Sequence, residues 1–178
     1  VNTSALTLTE GDTGTLLVRL AFEPLSDITV QASISNASVA TISPTTLTFT
    51  PGNYQTNQII NVATISDNDI ADEGAIITLI SAGLSDVNIS LDITDDDYQT
   101  VVLRPQTLSI NEGATENIEV TLMYEPLTNV AVNVLSSNNN TASITSNLLT
   151  FTPGNYATPQ TVAVTAVDDA DINDETEQ

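Results

Sequence analysis

The sequence predicts an all-β fold, and three features of its 178 residues carry that prediction. Apolar and polar residues alternate over short stretches, which is the period of a β-strand. Clusters of Gly, Pro, Asn, Asp and Ser separate these stretches, as turns do. The chain also matches itself at an offset of about 102 residues. Together these features favour tandem antiparallel, immunoglobulin-like β-sandwiches.

The predicted strands follow from apolar residues that share one face. In the first two strands these residues are Leu16, Val18, Leu20 and Phe22 within Thr13–Phe22, then Ile28, Val30, Ala32 and Ile34. Later strands are predicted around Leu47 and Phe49, Ile60 and Val62, Ile77 and Leu79, and Val87–Ile93. All are rich in Val, Ile and Thr, which fit a pleated sheet. Helical spacing is absent from the sequence, so about seven short strands per unit describe a sandwich.

The internal repeat aligns Val1–Ile76 with Leu103–Gln178 without a gap. About 30 of the 76 aligned pairs are identical, which exceeds what shared composition gives by chance. The longest identical run, Leu47–Tyr54, falls on Leu149–Tyr156. We therefore predict two domains, 1–98 and 99–178. We expect the second to be incomplete at its C-terminal strands, because the counterpart of residues 77–100 is not in the sequence.

Composition excludes several classes of function. The chain has 23 Asp plus Glu against 2 Lys plus Arg, and a net charge of −21. Such a surface does not favour nucleic acid or anionic membranes, because it cannot neutralise phosphates. There is no His, Cys or Lys, so most catalytic bases and nucleophiles are missing, and we expect no enzyme. No apolar run approaches a membrane span, so no membrane insertion is expected.

Eight acidic residues of the first repeat fall in the first turn, in the turn before the penultimate strand and after the last strand. They are Glu10; Asp67, Asp69, Asp72 and Glu73; and Asp95, Asp96 and Asp97. The last two places lie at the same end of a sandwich, so like charges would repel there without a cation. Numerous hard oxygen ligands on turns suit Ca²⁺. The alternative is that these residues are solubilising loop acids.

The residues also resemble a known family, the Calx-beta domain of sodium/calcium exchangers and bacterial surface proteins. The resemblance rests on Glu10-Gly11-Asp12, Leu47–Tyr54, Asp67–Glu73 and Ile93–Asp97. It implies that Glu10, Asp67, Asp69, Asp72 or Glu73, and Asp95 to Asp97 are calcium ligands of the first domain. It also implies a partial set in the second domain, namely Glu112, Asp168, Asp169, Asp171, Asp174 and Glu175. The segment Val39–Pro44 departs from the family pattern, and an acidic ligand expected there is absent.

The resemblance further implies an extracellular or cell-surface location and a structural role in a large adhesin-type protein. Only Tyr98, Gln99 and Thr100 separate the last acidic residue from the apolar start of the second repeat, so we expect the domains to abut. Calcium would then rigidify the interdomain junction. The expected partners are neighbouring repeats of the same protein or other copies in a fibre.

A second interpretation is a filament subunit. If the second domain lacks strands, another chain could complete it by β-strand addition. A sugar-binding or ice-binding face is less favoured, because aromatic residues are few and the Thr residues lie in different short strands.

Overall fold

The computed structural model describes residues 1–145 and 147–168, which fall into two compact units. The first unit comprises Val1–Asp67 and Ala71–Asp96, and the second comprises Asn68–Ile70 and the chain from Asp97 onward. The regular structure of the described residues consists of β-strands and contains no helix, as the alternating pattern predicts. No helix capable of spanning a membrane therefore occurs among them.

Eight strands in two sheets build the first unit. The strands are β1 (Ala5–Thr9), β2 (Thr13–Val18), β3 (Ile28–Ile34), β4 (Ala40–Ser43), β5 (Thr46–Phe49), β6 (Gln58–Thr64), β7 (Glu73–Ile80) and β8 (Val87–Thr94). One sheet has the order β1-β8-β7-β3-β5 and the other the order β2-β6-β4. Alternate side chains of both sheets are buried between them, which is the arrangement of a β-sandwich.

The core of the first unit follows the predicted alternation closely. In β8, Ile89, Leu91 and Ile93 are buried while the residues between them are exposed. The largest fully buried side chain is Phe49, on β5. Because side chains in a strand point alternately to opposite faces, period-2 positions determine which residues enter the core.

Two details of the first unit differ from the sequence prediction. The sandwich is not wholly antiparallel, because β1 pairs with β8 in parallel, with Ala5 opposite Ser90 and Thr9 opposite Thr94. Phe22 does not continue the buried face of β2, because the strand ends at Val18 and the Phe22 side chain is 85% exposed. The bend after β2 breaks the alternation on which that prediction relied.

Six strands belong to the described part of the second unit. They are β9 (Val101–Arg104), β10 (Thr115–Leu122), β11 (Val130–Asn133), β12 (Ala142–Ile144), β13 (Leu148–Phe151) and β14 (Gln160–Ala166). They form a sheet of order β12-β14-β10-β9 and a two-stranded sheet of β11 and β13. The core between them has five buried apolar residues among those described, centred on Phe151.

Strand registers in the two units correspond position by position. In the first unit Thr13 pairs with Ala63 and Ile28 with Phe49. In the second unit Thr115 pairs with Thr165 and Val130 with Phe151. Each residue of the second set lies about 102 positions after its counterpart in the first.

Candidate metal centre

The candidate site is built around Glu10, in the turn that joins β1 to β2. Gly11 adopts a φ of 69°, a left-handed conformation that favours glycine, and a Cβ there would lie 2.9 Å from Ser66 Oγ. The Glu10 amide donates to the Thr94 carbonyl oxygen at 3.1 Å, which attaches the turn to the end of β8. The tight turn and this hydrogen bond together direct Glu10 inward.

A buried hydroxyl holds the other side of the turn. Thr64, at the end of β6, is 7% exposed. Its Oγ1 lies within hydrogen-bond distance of two turn carbonyl oxygens, 2.8 Å from Thr9 O and 2.9 Å from Asp12 O. The Thr64 amide also donates to Asp12 O, at 3.0 Å. The position of Glu10 is therefore fixed by strands far apart in the sequence.

Three carboxylates converge at this point. Glu10, Asp67 and Asp95 each offer an oxygen, and these oxygens all lie within 4.8 Å of one another. The Asp67 amide donates to Glu10 Oε2 at 3.3 Å. Glu10 is 5% exposed, and its other oxygen, Oε1, is buried without a hydrogen-bond partner. A buried carboxylate oxygen that makes no hydrogen bond is costly unless another ligand satisfies it.

The electrostatics of the site favour a cation. Burial raises the pKa of Glu10 above its ordinary value, and the nearby charges of Asp67 and Asp95 raise it further. The hydrogen bond that Glu10 accepts from the Asp67 amide, and its side-chain interaction with Glu73, lower this pKa. A cation among these oxygens would remove the repulsion and favour the ionised form of Glu10.

The acidic residues near this group differ in their positions and contacts. Asp72 is exposed, and its Oδ1 accepts a hydrogen bond from the Asp95 amide at 2.9 Å, so Asp72 positions Asp95. Asp69 lies in the connection between β6 and β7, and Glu73 is the first residue of β7.

The donor set fits calcium by its chemistry. Ca²⁺ binds oxygens at about 2.3–2.6 Å, so two ligands of one ion lie at most about 5 Å apart. The oxygen separations of Glu10, Asp67 and Asp95 meet that limit. The three donor atoms are hard carboxylate oxygens. Ca²⁺ binds such oxygens, whereas soft metals prefer thiolate and thioether ligands.

The remaining predicted ligands lie outside the carboxylate group around Glu10. Asp96 is exposed, and neither it nor Asp97 enters a carboxylate group among the described residues. In the second unit Glu112 and Asp168 are both exposed and likewise join no such group. The other predicted ligands, Asp169, Asp171, Asp174 and Glu175, lie outside the described residues.

Thr64 and the role of Gly11 were not predicted from the sequence. A signal for Thr64 was present, because it continues the inward alternation of Ile60 and Val62 with a polar side chain. A hydroxyl at an inward strand position indicates a buried hydrogen bond. The positive φ of Gly11 could be suspected from the Glu-Gly-Asp turn, but the close approach of Ser66 depends on the tertiary structure.

Comparisons with known proteins identify no family. No family model matches the chain, and no curated protein matches its sequence. Among solved structures, the Pseudomonas aeruginosa CupB2 chaperone is similar over 92% of this chain and 87% of its own, at 8% identity and a TM-score of 0.41. The YadV chaperone is similar over 94% and 85%, at 10% identity and a TM-score of 0.38.

Domains 5–6 of the S-layer protein SbsC are similar over 94% of this chain and 81% of that one, at 13% identity and a TM-score of 0.34. All three TM-scores lie below 0.5, so these likenesses identify neither a fold family nor a function.

Proposed function

We propose that this chain is a calcium-binding structural segment of a large extracellular surface or adhesin-type protein, built from two immunoglobulin-like, Calx-beta-like repeats. The observation that carries the proposal is the buried Glu10 carboxylate, whose Oε1 makes no hydrogen bond although Asp67 and Asp95 lie beside it. Calcium would satisfy that oxygen and neutralise the three carboxylates together.

The repeat assignment is supported by the equal registers of the two units. The β2–β6 and β3–β5 pairings of the first unit correspond to the β10–β14 and β11–β13 pairings of the second. Sequence identity over the aligned 76 positions supports the same assignment.

A structural rather than catalytic role is supported by composition. Without His, Cys or Lys, the chain would have to perform chemistry with carboxylates alone. The carboxylate group around the buried Glu10 lies among turns that hydrogen bonds fix in place, which suits an ion that stabilises the fold. The short connection at Tyr98–Thr100 supports the further proposal that calcium stiffens the junction between repeats.

Calorimetric titration of the chelator-treated protein with Ca²⁺ tests this function. We expect saturable heat from the unaltered chain. Glu10→Gln should weaken binding by at least about tenfold, because it removes the charge of the central ligand. Asp27→Asn, which removes an exposed charge outside the carboxylate group, is the matched control and should leave the titration unchanged. Absence of binding heat in the unaltered chain would refute the calcium proposal.

A filament subunit is the second candidate, and the open edge of β11 favours it. In the first unit β3 pairs with both β5 and β7. Among the described residues β11 pairs with β13 alone. Beyond the end of β11 lies a cleft of about 410 Å³ whose lining includes Leu135, Ser136 and Ile144, and Ser136 Oγ is buried without a hydrogen-bond partner. A strand added along β11 would pair with its second side.

Electron microscopy of the native protein distinguishes the two candidates. Regular fibres with a repeat of one chain length would favour strand addition. Separate particles at high protein concentration would contradict it and leave the calcium-binding segment as the function.

A further inference from the structure

The outer face of the sheet β1-β8-β7-β3-β5 carries almost no charge, and we call it the neutral face. It consists of the residues in these five strands that alternate with the buried ones, and most of them are Thr, Ser, Asn or Gln. All five strands lie in the described part of the chain, and the one acidic side chain on their outer face is Asp92. Glu73 begins β7 on the opposite face, which it shares with the buried Ala75. In a chain of net charge −21, the acidic residues are therefore concentrated outside this face.

Two exposed isoleucines lie on the middle strand of the neutral face. Ile76 is 49% exposed and Ile80 is 47% exposed, and both belong to β7. On the neighbouring strands, polar residues lie opposite them, namely Ser90 beside Ile76 and Gln31 beside Ile80. An apolar centre within polar surroundings is the composition of a protein contact surface.

Polar side chains of the neutral face form hydrogen bonds with one another. Thr78 Oγ1 donates to Asn88 Oδ1 at 2.9 Å, between β7 and β8. Thr46 Oγ1 donates to Gln31 Oε1 at 3.0 Å, between β5 and β3. Hydrogen bonds made within the face are kept when another surface covers it, so removing water from this face costs less than from polar groups without such partners.

The size of the neutral face distinguishes it from the outer face of the sheet β2-β6-β4, whose strands contain no charged residue. One strand residue covers about 16 Å² of sheet, given a rise of about 3.3 Å and a strand spacing of about 4.8 Å. The five strands then present roughly 500 Å² per copy, so two such faces bury about 1,000 Å², the lower limit for a specific interface. The three-stranded sheet presents about half of that area and falls below the limit.

We propose that the neutral face binds the same face of a second copy of this chain, with β7 of each copy at the centre of the contact. The charge of the chain selects this partner. Two chains of charge −21 repel, and the repulsion is smallest where they meet through surfaces without charge. A cationic partner would instead be attracted to the acidic turns. Two identical faces also match in area and in the position of their isoleucines, as a contact with twofold symmetry requires.

The proposal goes beyond the proposed function, because it depends neither on calcium nor on strand addition at β11. Acidic residues outside the neutral face still repel one another in the dimer. Added salt should therefore strengthen the association by screening that repulsion.

Analytical ultracentrifugation of the full chain tests the contact. Chelator is present throughout, so that a cation bridging acidic residues cannot produce the dimer. We expect a reversible dimer whose population rises as salt is increased from about 0.05 M to about 0.5 M. Ile76→Glu should weaken dimerisation at least about tenfold, because twofold symmetry brings two added charges into the contact.

Ile59→Glu is the matched control for this variant. Ile59 lies on β6, the middle strand of the smaller sheet, and is also 49% exposed. The substitution adds the same charge to the chain, and it should change the dimer dissociation constant by less than about twofold, because the new charge lies outside the contact. Circular dichroism of both variants checks that they keep the β fold.

A second variant should have the opposite effect. Asp92→Asn removes the acidic side chain of the neutral face from both copies and should strengthen dimerisation at least about threefold. Glu23→Gln removes one exposed charge outside the five strands and is its control, with an expected change of less than about twofold.

A chain that stays monomeric at about 1 mM in about 0.5 M salt would overturn the proposal. Equal weakening by Ile76→Glu and Ile59→Glu would also overturn it, because the loss would then follow net charge rather than position. Calcium titration of Ile76→Glu should match that of the unaltered chain. Either proposal can therefore fail while the other stands.

Discussion

Glu10 and Glu112 occupy the same position in two copies of a Glu-Gly turn, and both following glycines have a φ of 69°. Glu10 is nonetheless buried beside Asp67 and Asp95, whereas Glu112 is exposed. In the first unit the end of β8 accepts the Glu10 amide and leads into Asp95. The Glu10 turn therefore becomes a candidate metal centre through a distant strand.

Burial of apolar residues in the core also depends on strands that are distant in the sequence. Leu16 is fully buried in the first unit, while its counterpart Ile118 is only partly buried. Strands β7 and β8 contribute Ile77, Ile89 and Leu91 to the first core. Leu16 is thus buried because strands far along the chain cover it.

Truncating matched core residues should give the largest difference in stability loss between the two units. We expect Leu16→Ala to lower the free energy of unfolding of its unit by about 2–5 kcal/mol, since it leaves a cavity in a closed core. Ile118→Ala should cost roughly half as much, because its side chain already contacts solvent. Urea denaturation followed by circular dichroism measures both. Equal losses would mean that the two cores are equally closed.

Alanine at the two turn glycines sharpens the comparison of the turns. Both substitutions place a side chain at positive φ, which costs about 1–2 kcal/mol. Gly11→Ala should cost more than Gly113→Ala, because its Cβ would lie 2.9 Å from Ser66 Oγ, whereas the nearest contact at Gly113 is at 3.8 Å. The measurement is thermal unfolding of each variant. Adding Ser66→Ala should restore part of the loss at Gly11 and none at Gly113.

Removing the hydroxyl of Thr64 should have a smaller effect. Thr64→Ala loses the hydrogen bonding to Thr9 O and Asp12 O and should cost about 0.5–1.5 kcal/mol. It should also weaken calcium binding, since Glu10 is held by this turn. Thr41→Ala, at an exposed position of β4, is the control and should change stability by less than about 0.5 kcal/mol. Equal effects of both substitutions would show that the Thr64 contacts contribute nothing.

The smallest expected effect concerns the backbone of β3 and β11. β3 pairs with β7 over residues 31–34, and the amide of the next residue, Ser35, donates to the Ile76 carbonyl oxygen at 2.9 Å. We expect its amides to exchange hydrogen more slowly than those of residues 133–137. Exchange followed by mass spectrometry measures the two segments in one sample. Equal protection would indicate that β11 is also paired on its second side.

Much of the fold could be predicted from local pattern. The alternation in β3 and β8 predicted their buried faces, and acidic turns at 67–73 and 95–97 were predicted to meet at one end of a sandwich. Glu10, Asp67 and Asp95 do meet there. The parallel pairing of β1 with β8 was not predicted, because nothing within β1 specifies its partner. Phe22 was predicted wrongly, because alternation does not reveal where a strand bends.

The sequence by itself determined the strands, the turns, the repeat and the excess of carboxylates, because each depends on neighbouring residues or on composition. Only the tertiary structure decided which carboxylate is buried and which hydroxyl supports it. Burial requires surfaces from strands far apart in the chain, and β1, β6 and β8 meet around Glu10 only once both sheets are assembled. Long-range packing, rather than the Glu-Gly motif itself, buries Glu10.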